Sequence, residues 1–326
     1  MSAGQRHVGD STLVVSELAV GAAPFGKAGR IHDGQRGVDA IVHRALDLGV
    51  TLFDTAESYG DAPGASEELL GNALAGRRDR AVISTKFRAG GRDEVRRAVD
   101  ASLRRLRTDW IDLYQIHTPD PTTPIEETLA ALDALVIAGK IRFAGSSNFA
   151  GWQVADAEHV ARARGYRGFV SAQHEYNLLW RKPEEEILPA VNAYGLDLLA
   201  YFPLQNGLLT GKYRRDVAPA DGKVTRFKSH LLDHASWAEL DRFSAYARDR
   251  GLTEVHLAYG WLLGQPGVSS LVTGVTSVAQ LDANVAAARW RPSPAELVEI
   301  GALFTTRLSG RPGRHDSHHA PAPAPA

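Results

Sequence analysis

The sequence predicts one (β/α)8 (TIM) barrel of the α/β class, preceded by a short β-hairpin and followed by a disordered tail. Two observations carry this. Short apolar runs recur along the 326 residues, and amphipathic stretches separate them. The turn after the first run reads "GAAPFG" rather than G-x-G-x-x-G, which argues against a doubly wound open sheet.

The elements follow in order. The N-terminal "TLVVSEL" reads as part of the hairpin. Eight runs then read as strands: "LAVG" (18–21), "TLFD" (51–54), "AVISTK" (81–86), "DLYQIH" (112–117), "IRFAGS" (141–146), "GFVSAQ" (168–173), "LDLLAY" (196–201) and "SSLVTG" (269–274). Between them lie "GVDAIVHRALDLG", "DEVRRAVDASLRRLR" and "PIEETLAALDALVIAGK", with apolar residues three and four apart, the mark of a helical face. Strand–helix alternation implies parallel strands joined by helical crossovers, and eight units in a chain of this length imply closure. The barrel is expected over residues 1–310. The last stretch, 311–326, alternates Ala and Pro after a polar segment. Proline offers no backbone donor and nothing there can bury a core, so an extended tail is expected, with His315, His318 and His319 solvated.

Composition narrows the function. The chain is 44% hydrophobic with a net charge of -1, and no basic block stands out, so neither nucleic acid nor an anionic membrane surface is an expected partner. There are no cysteines, which removes disulfides and thiol nucleophiles and fits a reducing compartment. "MSAGQRHVGD" lacks the apolar core of a signal peptide, and no run approaches the roughly 18 apolar residues of a membrane span. A cytoplasmic protein is expected; composition does not address its oligomeric state.

A barrel places its chemistry at the C-terminal tips of several strands. Asp54, Lys86 and His117 end the second, third and fourth runs, and Tyr59 lies in the loop after the second. Each has a plainer reading alone: a turn cap for Asp54, a solvated charge for Lys86, a loop residue for His117, a turn aromatic for Tyr59. Together on one rim they point to chemistry, since an apolar strand gains nothing from ending in a polar group three times running. The strand tips carry no cluster of histidines and carboxylates, so no metal is expected, and a metal-dependent lyase of the same fold is the weaker reading.

Six blocks in register, "FDTAESYG", "LYQIHTPD", "FAGSSNF", "SAQHEYNLL", "YFPLQNGLLTGKY" and "VTGVTSVAQLDAN", resemble those of the aldo-keto reductase family, over nearly the whole chain. The resemblance implies a tetrad of Tyr59, Lys86, Asp54 and His117. Reducing a carbonyl leaves negative charge on oxygen, so a proton donor must stand beside it. Tyrosine, with a pKa of about 10, is a poor acid near neutrality, and Lys86 is expected to lower it while Asp54 aims the lysine. His117 would orient the carbonyl oxygen.

The hydride must come from a cofactor. The resemblance implies a nicotinamide dinucleotide, NADPH in expectation, with NADH left open. Ser147, Asn148 and Gln173 would bond its carboxamide, Tyr201 would stack on its ring, and Gly21 would lie beside it. Leu204, Gly207, Leu209 and Lys212 belong to a long aperiodic segment after the seventh run, expected to fold over the pyrophosphate. Gly274, Thr276, Ser277, Gln280 and Asn284 would hold the adenosine end, at a helix start suited to phosphate. Two departures stand out: Thr276 where many family members carry Arg or Lys, and Phe202 where serine is common. Phe25, Phe87, Trp152, Trp180 and Phe227 are candidate pocket walls, implying an apolar or aromatic aldehyde or ketone as substrate. A regulatory or scaffold subunit that binds the nucleotide, as channel β subunits of this family do, is the alternative function.

Overall fold

The computed structural model describes residues 3–220 and 222–305. All eight expected strands form, and they close. Two short strands come first, β1 (Gln5–His7) and β2 (Val14–Ser16), paired antiparallel as the N-terminal hairpin. The barrel strands are β3 (Leu18–Gly21), β4 (Leu52–Asp54), β5 (Val82–Phe87), β6 (Ile111–Ile116), β7 (Ile141–Ser147), β8 (Phe169–Glu175), β9 (Asp197–Tyr201) and β10 (Val268–Gly274). Each pairs in parallel with its neighbour in sequence, and β10 pairs with both β9 and β3. The tail expected at 311–326 lies outside the described residues.

Helices α1 (Gln35–Asp47), α2 (Ala65–Ala73), α3 (Arg92–Leu106), α4 (Ile125–Ile137), α5 (Gly151–Arg164) and α6 (Ile187–Tyr194) make the crossovers up to β9. In α1, Val38, Ile41, Val42, Ala45 and Leu46 are the buried residues, the three- and four-residue spacing read from the sequence. The aperiodic segment after β9 is not structureless. It holds a 3-10 stretch, Gln205–Thr210, and two one-turn helices, α7 (Lys223–Phe227) and α8 (His230–Asp233). One turn is too short to display a helical period, so the pattern could not show them. Then come α9 (Trp237–Asp249), α10 (Glu254–Leu263), α11 (Val278–Ala287) and α12 (Pro294–Ala302). No helix among the described residues is long and apolar enough to cross a membrane.

Side chains alternate across each strand, and this divides the core in two. Ala19, Leu52, Leu113, Leu199 and Val272 point inward and pack with Val8, Leu13 and Val15 of the N-terminal hairpin. The hairpin therefore stoppers the barrel at the N-terminal ends of its strands. Fully burying each of its larger side chains stabilises the closure by roughly 1.5–3 kcal/mol. Ile83, Phe87, Tyr114, Ile116 and their neighbours point outward against the helices. With the bottom stoppered, the open mouth is the C-terminal rim.

Candidate active site

Asp54 and Lys86 meet inside the barrel near its mouth. Lys86 Nζ donates to Asp54 Oδ1 at 2.8 Å and Oδ2 at 2.7 Å, and to the Thr55 carbonyl at 2.9 Å. Lys86 is 1% exposed and Asp54 2%. The pair sits there because residues 84 and 86 of β5 share the inward parity of Asp54 in β4, which lies in register with Ser84. The ammonium is shared among the Asp54 carboxylate, the Thr55 carbonyl and Tyr59, so burial leaves no charge unpaired. Burial alone would lower the Lys86 pKa, but the Asp54 charge and Tyr59 outweigh it and the ammonium is held above its ordinary value.

The carboxylate has two further donors, Gln173 Nε2 at 2.8 Å and Ser84 Oγ at 3.1 Å, both to Oδ1. Gln115 Nε2 donates in turn to Ser84 Oγ at 2.7 Å. Ser84 and Gln115 are absent from the sequence-based candidates. Period-two spacing could have found them, since each stands two residues before a rim residue, Lys86 or His117.

Tyr59 leans over this pair. Lys86 Nζ lies 5.1 Å from its ring centroid, and the His117 ring meets it edge-on with centroids 5.8 Å apart. The expected lowering of the Tyr59 pKa is corrected by the structure. Burial raises it, Lys86 opposes through its charge and a hydrogen bond, Asp54 adds to the rise, and the phenol ends above its ordinary value. Close Coulombic attraction loses to desolvation because Asp54 neutralises much of the lysine's field.

A second network lies across β7, β8 and β9. The Asn148 amide is fully engaged: Nδ2 donates to the His117 carbonyl at 2.9 Å and to Ser147 Oγ at 3.0 Å, while Oδ1 accepts from the Tyr201 hydroxyl at 2.8 Å. Ser147 Oγ donates to the Gln173 carbonyl at 3.0 Å. Asn148 adopts a left-handed φ of 61°, a conformation asparagine tolerates better than most residues. Asn148 thus has no amide N–H left over, while Gln173 Nε2 gives one of its two to the Asp54 carboxylate. Gln173 Oε1 takes no hydrogen bond from the described residues and is the group free to accept one.

The outer residues divide. Tyr201 is half-buried and its hydroxyl is tied down, so its ring is a fixed flat surface. Gly207 holds φ 105°, where a Cβ would meet the Lys212 chain at 3.2 Å. Ser277 caps α11, its Oγ accepting from the Gln280 N–H at 3.3 Å, and Thr276 donates from N and Oγ1 to Gln280 Oε1 at 2.9 and 3.0 Å. Gly274, Ser277, Gln280 and Lys212 are exposed, and Leu204, Thr276 and Asn284 half-buried. Leu209 is 0% exposed, its side chain packed in the core. Gly21 is explained by strand packing, since a Cβ there would meet Val272 Cγ1 at 3.1 Å and the Thr273 carbonyl at 3.2 Å. A fixed aromatic face, a turn at Gly207 and a capped helix start form a set that fits a dinucleotide.

The proposed pocket walls fare worse. Phe25 and Phe87 are both fully buried, and Phe87 stacks on Tyr114 at 4.4 Å between sheet and helices. Its odd parity in β5 turns it outward, away from Lys86. Trp152, on the first turn of α5, is 64% exposed, and Trp180 is half-buried in a turn closed on Asn177. Phe227 ends α7, and its side chain lies outside the description.

These features define a barrel enzyme whose polar groups converge at its C-terminal mouth. The chain belongs to the aldo-keto reductase family, whose model, "Aldo/keto reductase family", matches residues 17–303. It is thus an oxidoreductase of a family that uses a nicotinamide dinucleotide. It is 35% identical to the "Uncharacterized oxidoreductase YrpG" of Bacillus subtilis, over 84% of this chain and 88% of that one. It is 33% identical to the "Aldo-keto reductase YhdN" of the same bacterium, over 93% and 94%. A "Probable voltage-gated potassium channel subunit beta" of Oryza sativa subsp. japonica is 34% identical over 86% and 90%.

Proposed function

We propose that the protein is a cytoplasmic NADPH-dependent reductase of aldehydes or ketones. The observation that carries this reading is the buried Lys86–Asp54 pair directly beneath Tyr59 at the barrel mouth. The bound dinucleotide supplies the hydride. Tyr59 gives its phenolic proton to the carbonyl oxygen, on which negative charge develops. Its raised pKa keeps that proton in place through the neutral range, and the Lys86 ammonium stabilises the phenolate left behind. Asp54 holds Lys86 charged and aimed. His117, edge-on to Tyr59, orients the carbonyl oxygen from the other side. Tyr201, Gln173 Oε1 and the turn into α11 hold the cofactor. The cytoplasmic placement rests on composition alone.

A panel of aldehydes and ketones, assayed by the loss of NADPH or NADH absorbance, tests the reading. Turnover is expected, with kcat/KM flat through neutrality and falling only above pH of about 10, because the acid's pKa lies above the ordinary tyrosine value. A loss centred near pH 8 would assign the titrating group elsewhere. The channel-subunit relative favours a second reading, a nucleotide-binding regulatory subunit. Tight NADPH binding with no turnover across the panel would establish it.

NADPH is expected to bind more tightly than NADH. Thr276→Arg should widen that preference by about tenfold or more, since a phosphate then gains a charge-assisted bond. The gain is net of freeing Gln280 Oε1, which Thr276 now occupies. Dissociation constants from fluorescence quenching read this, and an unchanged ratio would place the 2′-phosphate away from the turn.

A further inference from the structure

One carboxylate outside the tetrad stands between the loop that carries Tyr59 and the strand that carries Lys86. Thr55 N–H donates to the Ser84 carbonyl at 2.8 Å and Glu57 N–H to the Lys86 carbonyl at 3.0 Å. The ladder between β4 and β5 therefore runs on past Asp54, the last residue of β4. The next donor on this edge, just past β5, is the Arg88 N–H. It finds Glu57 Oε1 at 2.8 Å, a side chain in the place of a backbone carbonyl. The Glu57 carbonyl, which a continuing ladder would have offered, is turned away and accepts the Gly64 N–H at 2.7 Å. The chain leaves the sheet here, and Tyr59 follows two residues on.

The far side of the loop is pinned separately. Ser66 N–H, in the first turn of α2, donates to the Tyr59 carbonyl at 3.2 Å. Ser66 Oγ donates to the Ala22 carbonyl at 2.8 Å and lies 2.9 Å from Thr55 Oγ1. Those bonds tie Tyr59 to α2 and to the turn after β3. Toward β5, the backbone ties of residues 56–64 are the two that Glu57 makes, to the Lys86 carbonyl and the Arg88 N–H.

We propose that Glu57 is a positioning residue, which sets the Tyr59 ring at its distance from the Lys86 ammonium by holding the Arg88 N–H. This rests on the reading of Tyr59 as the proton donor. Glu57 itself touches no reacting atom. The reach of its oxygen matters rather than its charge, because accepting one N–H needs only a lone pair at that point. Placement counts here: Lys86 Nζ lies 5.1 Å from the Tyr59 ring centroid, and a shift of about 1 Å in a reacting group can cost about 10²-fold in rate.

Three variants of the full-length protein separate reach from charge. Glu57→Gln keeps an oxygen at the same length and loses the charge. Glu57→Asp keeps the charge and is one methylene too short. Glu57→Ala keeps neither. The single-turnover rate of carbonyl reduction at saturating NADPH is expected to fall by about 10- to 100-fold in Glu57→Ala and by about tenfold in Glu57→Asp. It should stay within about threefold of the wild type in Glu57→Gln. NADPH affinity should hold in all three, since only the placement of the acid changes. A carboxylate that merely capped the strand end would alter stability and leave the rates of the folded variants alike. Crystal structures read the cause directly. The distance from Lys86 Nζ to the Tyr59 ring centroid should lengthen by about 1 Å in Glu57→Asp and Glu57→Ala and hold in Glu57→Gln.

Glu57→Gln as slow as Glu57→Ala, Glu57→Asp faster than Glu57→Gln, or Glu57→Ala at the wild-type rate would each overturn the assignment. So would an NADPH affinity that falls in step with the rate. Should Glu57→Ala not fold, Glu57→Asp and Glu57→Gln carry the same comparison. A wild type that reduces no aldehyde or ketone sinks the reductase reading instead. The crystallographic distance then still decides whether Glu57 places Tyr59, and an unchanged distance in the shortened variants ends the proposal.

Discussion

Tyr59→Phe is expected to lower carbonyl reduction by roughly 10²–10⁴-fold, the usual contribution of a positioned acid, with nucleotide affinity nearly unchanged. The substitution keeps the ring that meets His117 edge-on and lies 5.1 Å from Lys86 Nζ, and it removes only the hydroxyl. The hydrogen bond lost with Lys86 is worth about 1 kcal/mol net, too little to unfold a domain of this size. Lys86 keeps both Asp54 oxygens and the Thr55 carbonyl, so the floor of the site should stand. The loss should fall on kcat, because the proton is needed only as charge develops on the carbonyl oxygen. Steady-state kinetics with a reactive aldehyde checks this, alongside NADPH binding. A variant with full reductase activity would falsify the assigned proton donor.

Lys86→Met should damage both fold and rate, and the two effects can be pulled apart. The substitution leaves a carboxylate, 3% exposed, with no cation beside it. Breaking a buried pair in this way costs about 3–5 kcal/mol, a large share of a typical domain stability of about 5–15 kcal/mol. Gln173 and Ser84 still donate to Asp54 and should keep the cost toward the lower end. The rate falls because the phenolate formed from Tyr59 loses the charge that stabilises it. Adding Asp54→Asn removes the stranded charge, so the double variant should regain much of the stability and none of the rate. Chemical unfolding midpoints and turnover, measured on both variants, read the two effects independently. A double variant no more stable than the single one would mean that the buried pair contributes through packing rather than charge.

The barrel was legible because its strands are buried on both faces. Such strands read as short continuous apolar runs, and each of the eight expected runs lies within a residue or two of its strand. The rim residues were legible for a related reason: each of the second, third and fourth runs ends in an ionisable residue, which is how Asp54, Lys86 and His117 stood out. That they share an inward parity came from the strand register, which sets Asp54 beside Ser84 and Lys86 beside Gln115.

What escaped the sequence is what depends on distance between elements. Phe87 and Lys86 are adjacent in the chain, yet one stacks on Tyr114 outside the sheet and the other lies inside the barrel. Aromatic character alone cannot tell those sides apart. Gln173 gives an N–H to a carboxylate 119 residues earlier, a contact that no local pattern shows. The Tyr59 pKa was misjudged because its sign is a balance between two tertiary quantities, burial and the screened charge of Lys86. Local pattern determined the elements, their order and the polar tips of the strands, because burial and strand geometry act on neighbours in the chain. Closure of the barrel decided which of those groups touch, because hydrogen bonding, desolvation and charge depend on separations in space.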